Sequence, residues 1–161
     1  MKQGNHMKTN PMEQDVRQRM EPGILSRDGF LGSDTRPLHD IVADDAALLV
    51  SAEVSTAEAG NLLQKLFVAA EAAQETEVIL GNGKVRVRLR EGMGQIPCPF
   101  ACATLARKGE LEISFAGSKL ILTPLSIHLI QQHGFFQGRG STYRVEPAVV
   151  AALVRLCRAG L

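Results

Sequence analysis

The chain has 161 residues, of which 45% are hydrophobic and 22% are charged, and its formal net charge is +1. This length and balance are typical of one globular domain with a sizeable core, and the near-neutral charge argues against a dedicated binder of polyanions. Three cysteines, an odd number, without a signal peptide favour a reducing compartment over a disulfide scaffold. No apolar run approaches the roughly 18 residues that a membrane span requires. We therefore expect a cytoplasmic protein without a membrane segment.

The N-terminal part of the chain differs in composition from the rest. Residues 1–22 are polar and nearly aperiodic, which predicts a disordered tail. Residues 23–161 are expected to form a single α+β domain, which begins with an irregular segment over residues 23–36.

Two helices are predicted before any strand. The first runs from about residue 37 to residue 50, and Asp45 is the only polar residue on its apolar stripe. The second runs from about residue 56 to residue 73, and Ser55 and Glu58 give it a capping box. Because the connection is short, we expect the two helices to be antiparallel or steeply crossed.

A first β-hairpin follows these helices. The Asn-Gly pair at 82–83 is a strong two-residue turn signal, and it predicts that Val78 pairs with Val87 and Leu80 with Val85. All the apolar side chains except Ile79 then share one face of the hairpin. The other face of the second strand is wholly basic: Lys84, Arg86, Arg88 and Arg90.

The basic strand face has the geometry of a phosphate-contacting sheet. However, Glu75 and Glu77 are expected to lie opposite Arg90 and Arg88, and the strand lacks aromatic residues on which bases could stack. We therefore favour a solvated sheet face and do not expect nucleic acid as a partner.

A second hairpin is predicted to turn at residues 117–118, which pairs Phe115 with Leu120 and Ile113 with Leu122. Residues 92–108 are expected to connect the two hairpins. A proline at position 99 keeps the residue before it extended.

Two helices complete the domain. Thr123 caps the first of them, Pro124 suits its first position, and Gly134 closes it in a left-handed conformation. The second runs from about residue 147 to residue 158. The predicted fold is therefore α+β, with two N-terminal helices, two antiparallel β-hairpins forming a sheet, and two C-terminal helices.

Four residues could bind zinc: Cys98, Cys102, His128 and His133. A hairpin followed by a helix with two histidines resembles the second half of a zinc finger with two cysteines and two histidines. However, 25 residues separate Cys102 from His128, where such fingers have about 12. The two histidines also lie about 140° apart on an ideal helix. We therefore expect a buried thiol pair, two unrelated histidines, no metal and no cofactor, with zinc as the alternative.

The loop 134–144 concentrates glycine, arginine and aromatic residues. The backbone amides of such a loop can hold an anion, with arginine side chains at the rim. The candidate ligand-binding residues are His128, Gly138, Arg139, Gly140, Ser141 and Arg144. In the alternative interpretation the segment is a helix C-cap followed by turns, and the glycines serve only the backbone conformation.

Three segments, SRDGFLG, IPCPF and SIHLI with the HGFF and GRGS that follow it, resemble a group of small uncharacterised bacterial proteins. The likeness spans roughly residues 25–147. The group carries no assigned activity, so the resemblance implies a bacterial cytosolic protein and assigns no role to any residue.

The sequence favours a non-enzymatic binding or regulatory domain that uses the loop 134–144, because no nucleophile–base or acid–base motif accompanies it. The expected partner is an anionic small molecule or a protein. The alternative is a small enzyme with a site around His128, Arg139 and Cys98. A deep pocket holding these three residues would favour the enzyme.

Overall fold

The computed structural model describes residues 11–161. Its elements in chain order are α1 (Pro11–Arg19), α2 (Leu38–Ser51), α3 (Thr56–Ala72), β1 (Val78–Leu80), β2 (Val85–Pro97), β3 (Leu105–Phe115), β4 (Ser118–Leu122), α4 (Pro124–His133) and α5 (Pro147–Cys157). The α+β class is confirmed. Three helices precede the sheet, where the sequence predicted two, and two follow it.

The additional helix, α1, lies within the segment that the sequence assigns to a disordered tail. Met20, just after this helix, is fully buried. Arg17 donates hydrogen bonds to the carbonyl oxygens of Arg36 at 2.6 Å and Asp34 at 3.0 Å. One buried methionine and these long-range bonds therefore fix residues 11–22 to the domain, although their sequence is aperiodic. The expectation for residues 1–10 lies outside the described residues.

The four strands form one antiparallel sheet in the order β1-β2-β3-β4. The predicted register of the first hairpin is confirmed, with Val78 opposite Val87 and Leu80 opposite Val85. The basic side chains at positions 86, 88 and 90 are exposed, as expected.

The second hairpin turns one residue earlier than the sequence predicts. Ala116 and Gly117 occupy the turn with φ of 46° and 76°, and Ile113 pairs with Leu120. A tight two-residue hairpin turn of this type requires positive φ at both central positions, and residues 116–117 meet that requirement. The predicted pairing of Ile113 with Leu122 is therefore wrong by two residues. Because side chains alternate with a period of two, each still lies on its predicted face.

The segment predicted to connect the hairpins is mostly strand. β2 and β3 pair from Val85 opposite Phe115 to Pro97 opposite Leu105, with an irregularity between Glu91 and Gln95. Glycines at positions 92, 94 and 109 and exposed polar residues interrupt the alternation that would identify these strands from sequence. The true connection is short, residues 98–104, and it carries both candidate cysteines.

Helices cover one face of the sheet, with α3 and α4 in direct contact with the strands and α5 packed on α2 and α3. A large core lies between these helices and the sheet. A second, smaller apolar cluster joins the N-terminal segment to α4: Met20, Phe30, Leu31, Leu38, Ile41, Cys98, Leu125, Leu129 and Phe135. Within residues 11–161, none of the helices has the length and apolarity of a membrane-spanning segment.

Candidate metal centre and the neighbouring loop

Four side chains with metal-binding atoms meet where the tip of the β2–β3 hairpin contacts α4. We call Cys98, Cys102, His128 and His133 the Cys–His cluster; one ligand atom from each lies within 4.8 Å of the other three. The Cys98 Sγ and His133 Nε2 atoms are 3.5 Å apart, and the Cys102 Sγ and His128 Nε2 atoms are 3.2 Å apart. The cluster thus consists of two thiols and two imidazoles that converge on one point.

The connection 98–104 presents the two thiols. The Cys98 amide donates to the Thr104 carbonyl at 3.0 Å, and the Ala101 amide donates to the Cys98 carbonyl at 3.1 Å. Ala101 and Ala103 both have positive φ, which a residue with a side chain rarely adopts. Such strained positions concentrate at functional sites, where the surrounding structure enforces them.

Helix α4 presents the two imidazoles, and its ends follow the sequence prediction. Thr123 and Ser126 form a reciprocal capping box at the start, and Gly134 ends the helix with φ of 60°. His128 and His133 nevertheless approach each other, with ring centroids 5.2 Å apart in an edge-to-face arrangement. The expectation of two unrelated histidines is therefore wrong. The two imidazole side chains are long enough to meet despite the 140° between their positions around the helix, and His133 lies in the last turn of the helix.

Two further contacts fix the cluster from outside. Phe100 lies between the two cysteines in the sequence. Its ring stacks on the His133 ring, with centroids 4.1 Å apart and an interplanar angle of 8°, and it meets Phe135 edge to face. Arg19 at the end of α1 donates to the Pro99 carbonyl at 2.7 Å. The N-terminal helix, the hairpin tip and α4 are thus joined around these four residues.

The environment controls the protonation of each member. Burial lowers the pKa of His128 and of His133, which favours neutral imidazoles with a free lone pair. Burial raises the pKa of the Cys98 thiol to about 11, whereas a hydrogen bond from the Thr104 side chain lowers the pKa of the more exposed Cys102. Neutral imidazole and thiolate are the forms that bind metal, so a metal cation at this point would displace the proton of the Cys98 thiol, which would be released to solvent.

The residues present fit a zinc ion. Zinc binds sulfur at about 2.3 Å and nitrogen at about 2.0–2.1 Å, so the ligand atoms of a tetrahedral site lie about 3.3–3.8 Å apart. The two sulfur–nitrogen distances of 3.5 and 3.2 Å are close to this range, and the four ligand atoms, which lie within 4.8 Å of one another, would draw together slightly around the ion. Three residues separate the cysteines and four separate the histidines, and both intervals are typical of structural zinc sites.

The interval that argued against zinc has a structural explanation. In a zinc finger of this ligand set, the hairpin runs directly into the helix. Here the 25 residues between Cys102 and His128 contain β3 and β4, so an additional strand intervenes before α4. The short interval of the finger is therefore not needed to bring the two pairs together.

The loop 134–144 packs against the irregular segment that precedes α2. The Gly138 amide donates to the Phe30 carbonyl, and the Arg139 amide donates to the Asp34 carboxylate at 3.0 Å. A hydrogen bond from Arg36 holds the pKa of Asp34 well below its usual range, so this buried side chain is an anion. Two of the amides proposed to hold an external anion are thus engaged internally, one of them by a carboxylate of the chain itself.

Arg144 does not lie at an exposed rim, as the sequence analysis expected. Only 6% of its side chain is exposed, and it makes two hydrogen bonds of 2.9 Å to Asp45, whose side chain is 2% exposed. Its guanidinium also donates to the Gln137 carbonyl at 2.6 Å. The polar residue noted on the apolar stripe of α2 therefore has a buried cation as its partner.

The other candidate residues separate into two places. His128 belongs to the Cys–His cluster, whereas Gly138, Gly140 and Ser141 lie against residues 31–33. The Arg139 side chain is exposed, and its backbone carbonyl accepts from the Ser33 amide. Sequence reasoning did not single out Asp34 or Gln137, because their roles depend on long-range contacts.

Comparisons with protein-family models, curated proteins and solved structures found no match.

Proposed function

We propose that the protein is a non-enzymatic binding domain organised around a zinc ion held by Cys98, Cys102, His128 and His133. The observation that carries this proposal is the convergence of four ligand atoms within 4.8 Å from two elements that are distant in sequence. Two thiols with two imidazoles are the donor set of many structural zinc sites.

The four protein ligands favour a structural role for the zinc. Catalytic zinc sites usually have three protein ligands and leave a fourth position for water or substrate. With four ligands from the chain, the coordination is complete. Thiolate ligands of this kind persist where cysteines stay reduced, which agrees with a cytoplasmic location.

One observation favours a second candidate, a small enzyme with a thiol–imidazole pair. The Cys102 Sγ atom lies 3.2 Å from His128 Nε2, and the pKa of this exposed thiol is lowered by Thr104. A thiolate beside an imidazole is an activated nucleophile. The enzyme site expected from sequence used Cys98 instead, which is buried and whose pKa is raised.

Zinc content tests the first candidate. The full chain is expressed with added zinc, purified without chelator, and examined by native mass spectrometry and elemental analysis. We expect one zinc per chain, and we expect Cys98→Ser and His133→Asn to lose most of it because each removes a ligand. Substitution of Co²⁺ should give the visible absorption bands of a tetrahedral site with thiolate ligands.

Two variants outside the cluster serve as controls. Cys157→Ser removes the third cysteine, which lies half-buried in α5, and His39→Gln removes a histidine paired with Glu13. Both should retain full zinc content. Two results together would refute the metal site and favour the enzyme. The first is a zinc content far below one per chain after reconstitution, and the second is rapid alkylation of Cys102 in protein that has not been treated with a chelator.

A further inference from the structure

A cleft of about 270 Å³ lies against the loop 134–144, and the part of the loop that lines it, Gln137, Thr142 and Tyr143, is called the inner side of the loop. Its apolar lining comes from Phe30, Ile96 and Leu125, which belong to three different parts of the chain. No member of the Cys–His cluster lines it, so it is a second site. A concave, partly apolar space with a few polar groups is the usual form of a small-molecule site.

Gln137 provides the most informative group in this cleft. The residue is only 3% exposed and its φ is 70°, in the left-handed region. The Ser141 hydroxyl donates to Gln137 Oε1 at 2.5 Å. The backbone carbonyl of Gln137 accepts from the Arg144 guanidinium. Within residues 11–161, the Nε2 group has no hydrogen-bond partner and is not enclosed by protein. A nearly buried side chain that lines the cleft, on a backbone position of positive φ, therefore carries two N–H donors that remain available.

The charges at the cleft indicate which ligand would accept these hydrogen bonds. Arg27, Arg107 and Lys108 contribute three cations and Asp28 contributes one carboxylate, while Glu110, which accepts from the hydroxyl of the lining Tyr143 at 2.6 Å, adds a second carboxylate beside the cleft. The Asp28 carboxylate is already paired with Arg27 and accepts from Thr142. The excess of positive charge favours an acceptor that is itself negative, and the apolar lining favours a hydrocarbon body attached to it.

We propose that this cleft binds a small organic carboxylate, with its carboxylate group on Gln137 Nε2 and near Arg107, and its apolar body against Phe30 and Leu125. This inference rests on the proposed binding role of the domain and does not depend on the metal. The loop 134–144 thus takes part in binding through its inner side, where Gln137, Thr142 and Tyr143 line the cleft. The glycines at 138 and 140 serve the close packing of the loop on residues 31–33.

A titration with benzoate tests the proposal. The probe carries a carboxylate and an apolar ring, benzyl alcohol is its neutral counterpart, and inorganic phosphate is an anion without an apolar body. Binding is followed on the ¹⁵N-labelled full chain through the side-chain amide signals of Gln137, assigned by their loss in Gln137→Met. We expect benzoate to bind at least tenfold more tightly than either comparison compound, and to shift those signals.

Variants with matched chemistry decide which surface is used. Gln137→Met keeps the volume and removes the donors, so benzoate affinity should fall about tenfold; Arg107→Gln should reduce it severalfold. Arg139→Gln changes an exposed arginine of the same loop that does not line the cleft, and it should have no effect. Zinc content and melting temperature of every sample show separately whether the metal site and the fold are intact. Equal binding of benzoate and benzyl alcohol, tighter binding of phosphate, or a loss confined to Arg139→Gln would overturn the proposal.

Discussion

At the scale of single residues, two buried carboxylates hold the loop 134–144 in place. Asp34 accepts from the Arg139 amide and from Arg36, and Asp45 accepts from Arg144. The sequence identifies Asp45 as unusual, because it interrupts an apolar stripe, but it gives no sign of the partner 99 residues away. Periodicity reports which face of a helix a residue occupies, whereas the partner depends on how distant segments pack.

Replacing Arg144 by methionine should lower the free energy of unfolding by about 3–5 kcal/mol, because Asp45 would remain buried without its cation. The matched control is Arg139→Met in the same loop, where the side chain is exposed, and its effect should stay within about 0.5 kcal/mol. Denaturant unfolding of the three proteins measures both values.

A double variant separates the ion pair from general packing. Combining Arg144→Met with Asp45→Leu removes both charges, and it should recover much of the stability lost in the single variant. The exposures of 6% and 2% imply that the pair is shielded from water. If Arg144→Met alone lowers the free energy of unfolding by less than about 1 kcal/mol, that implication is wrong.

At the scale of elements, local signals were reliable wherever they specify backbone geometry. The cap of α3 at Ser55, the cap of α4 at Thr123 and the left-handed end at Gly134 all follow prediction. The prediction failed over residues 92–108, because strands with glycine and exposed polar side chains lack the alternation that marks a strand. Pairing with a long neighbouring strand supplies the order there, and single-strand patterns do not record it.

The second hairpin offers a direct test of turn chemistry. Ala116 is exposed and has φ of 46°, a conformation that asparagine tolerates better than alanine does. With Gly117 next in the chain, Ala116→Asn creates the preferred Asn-Gly sequence of such turns and should raise the free energy of unfolding by about 0.5–1 kcal/mol. Ala116→Val should lower it, since a β-branched residue is strained at positive φ. Thermal melts that rank valine at or above asparagine would contradict the turn geometry.

At the scale of the whole molecule, the candidate metal site shows what sequence spacing omits. All four residues are recognisable in the sequence, but the interval of 25 residues is long only in comparison with a smaller fold that has no additional strand between its hairpin and its helix. The two cysteines and two histidines become neighbours only because the sheet returns the chain to the hairpin tip through β3 and β4. The cleft was not foreseen at all, because its lining comes from five separate stretches of the chain.

Within residues 11–161 the buried apolar residues form two clusters, and Cys98 of the Cys–His cluster is a member of the smaller one. We therefore expect zinc removal to unfold the hairpin tip and the α1 region locally while the large core under the sheet persists. Hydrogen exchange after treatment with a chelator is the appropriate measurement, because it resolves local opening from global unfolding.

In that experiment the amides of Cys98 and Ala101, which bond within the connection 98–104, should lose protection, and so should the Phe30 amide, which donates to Met20. Sheet amides at Val87 and Ile113 should remain protected, since they lie in paired strands of the large core. Adding zinc back should restore the first group, whereas Mg²⁺ should not, because it prefers oxygen ligands. The Cys98→Ser variant should show the exposed pattern without any chelator. Loss of protection throughout the sheet would mean that zinc supports the whole fold, and unchanged exchange at Cys98 and Ala101 would mean that the four side chains meet without holding a metal.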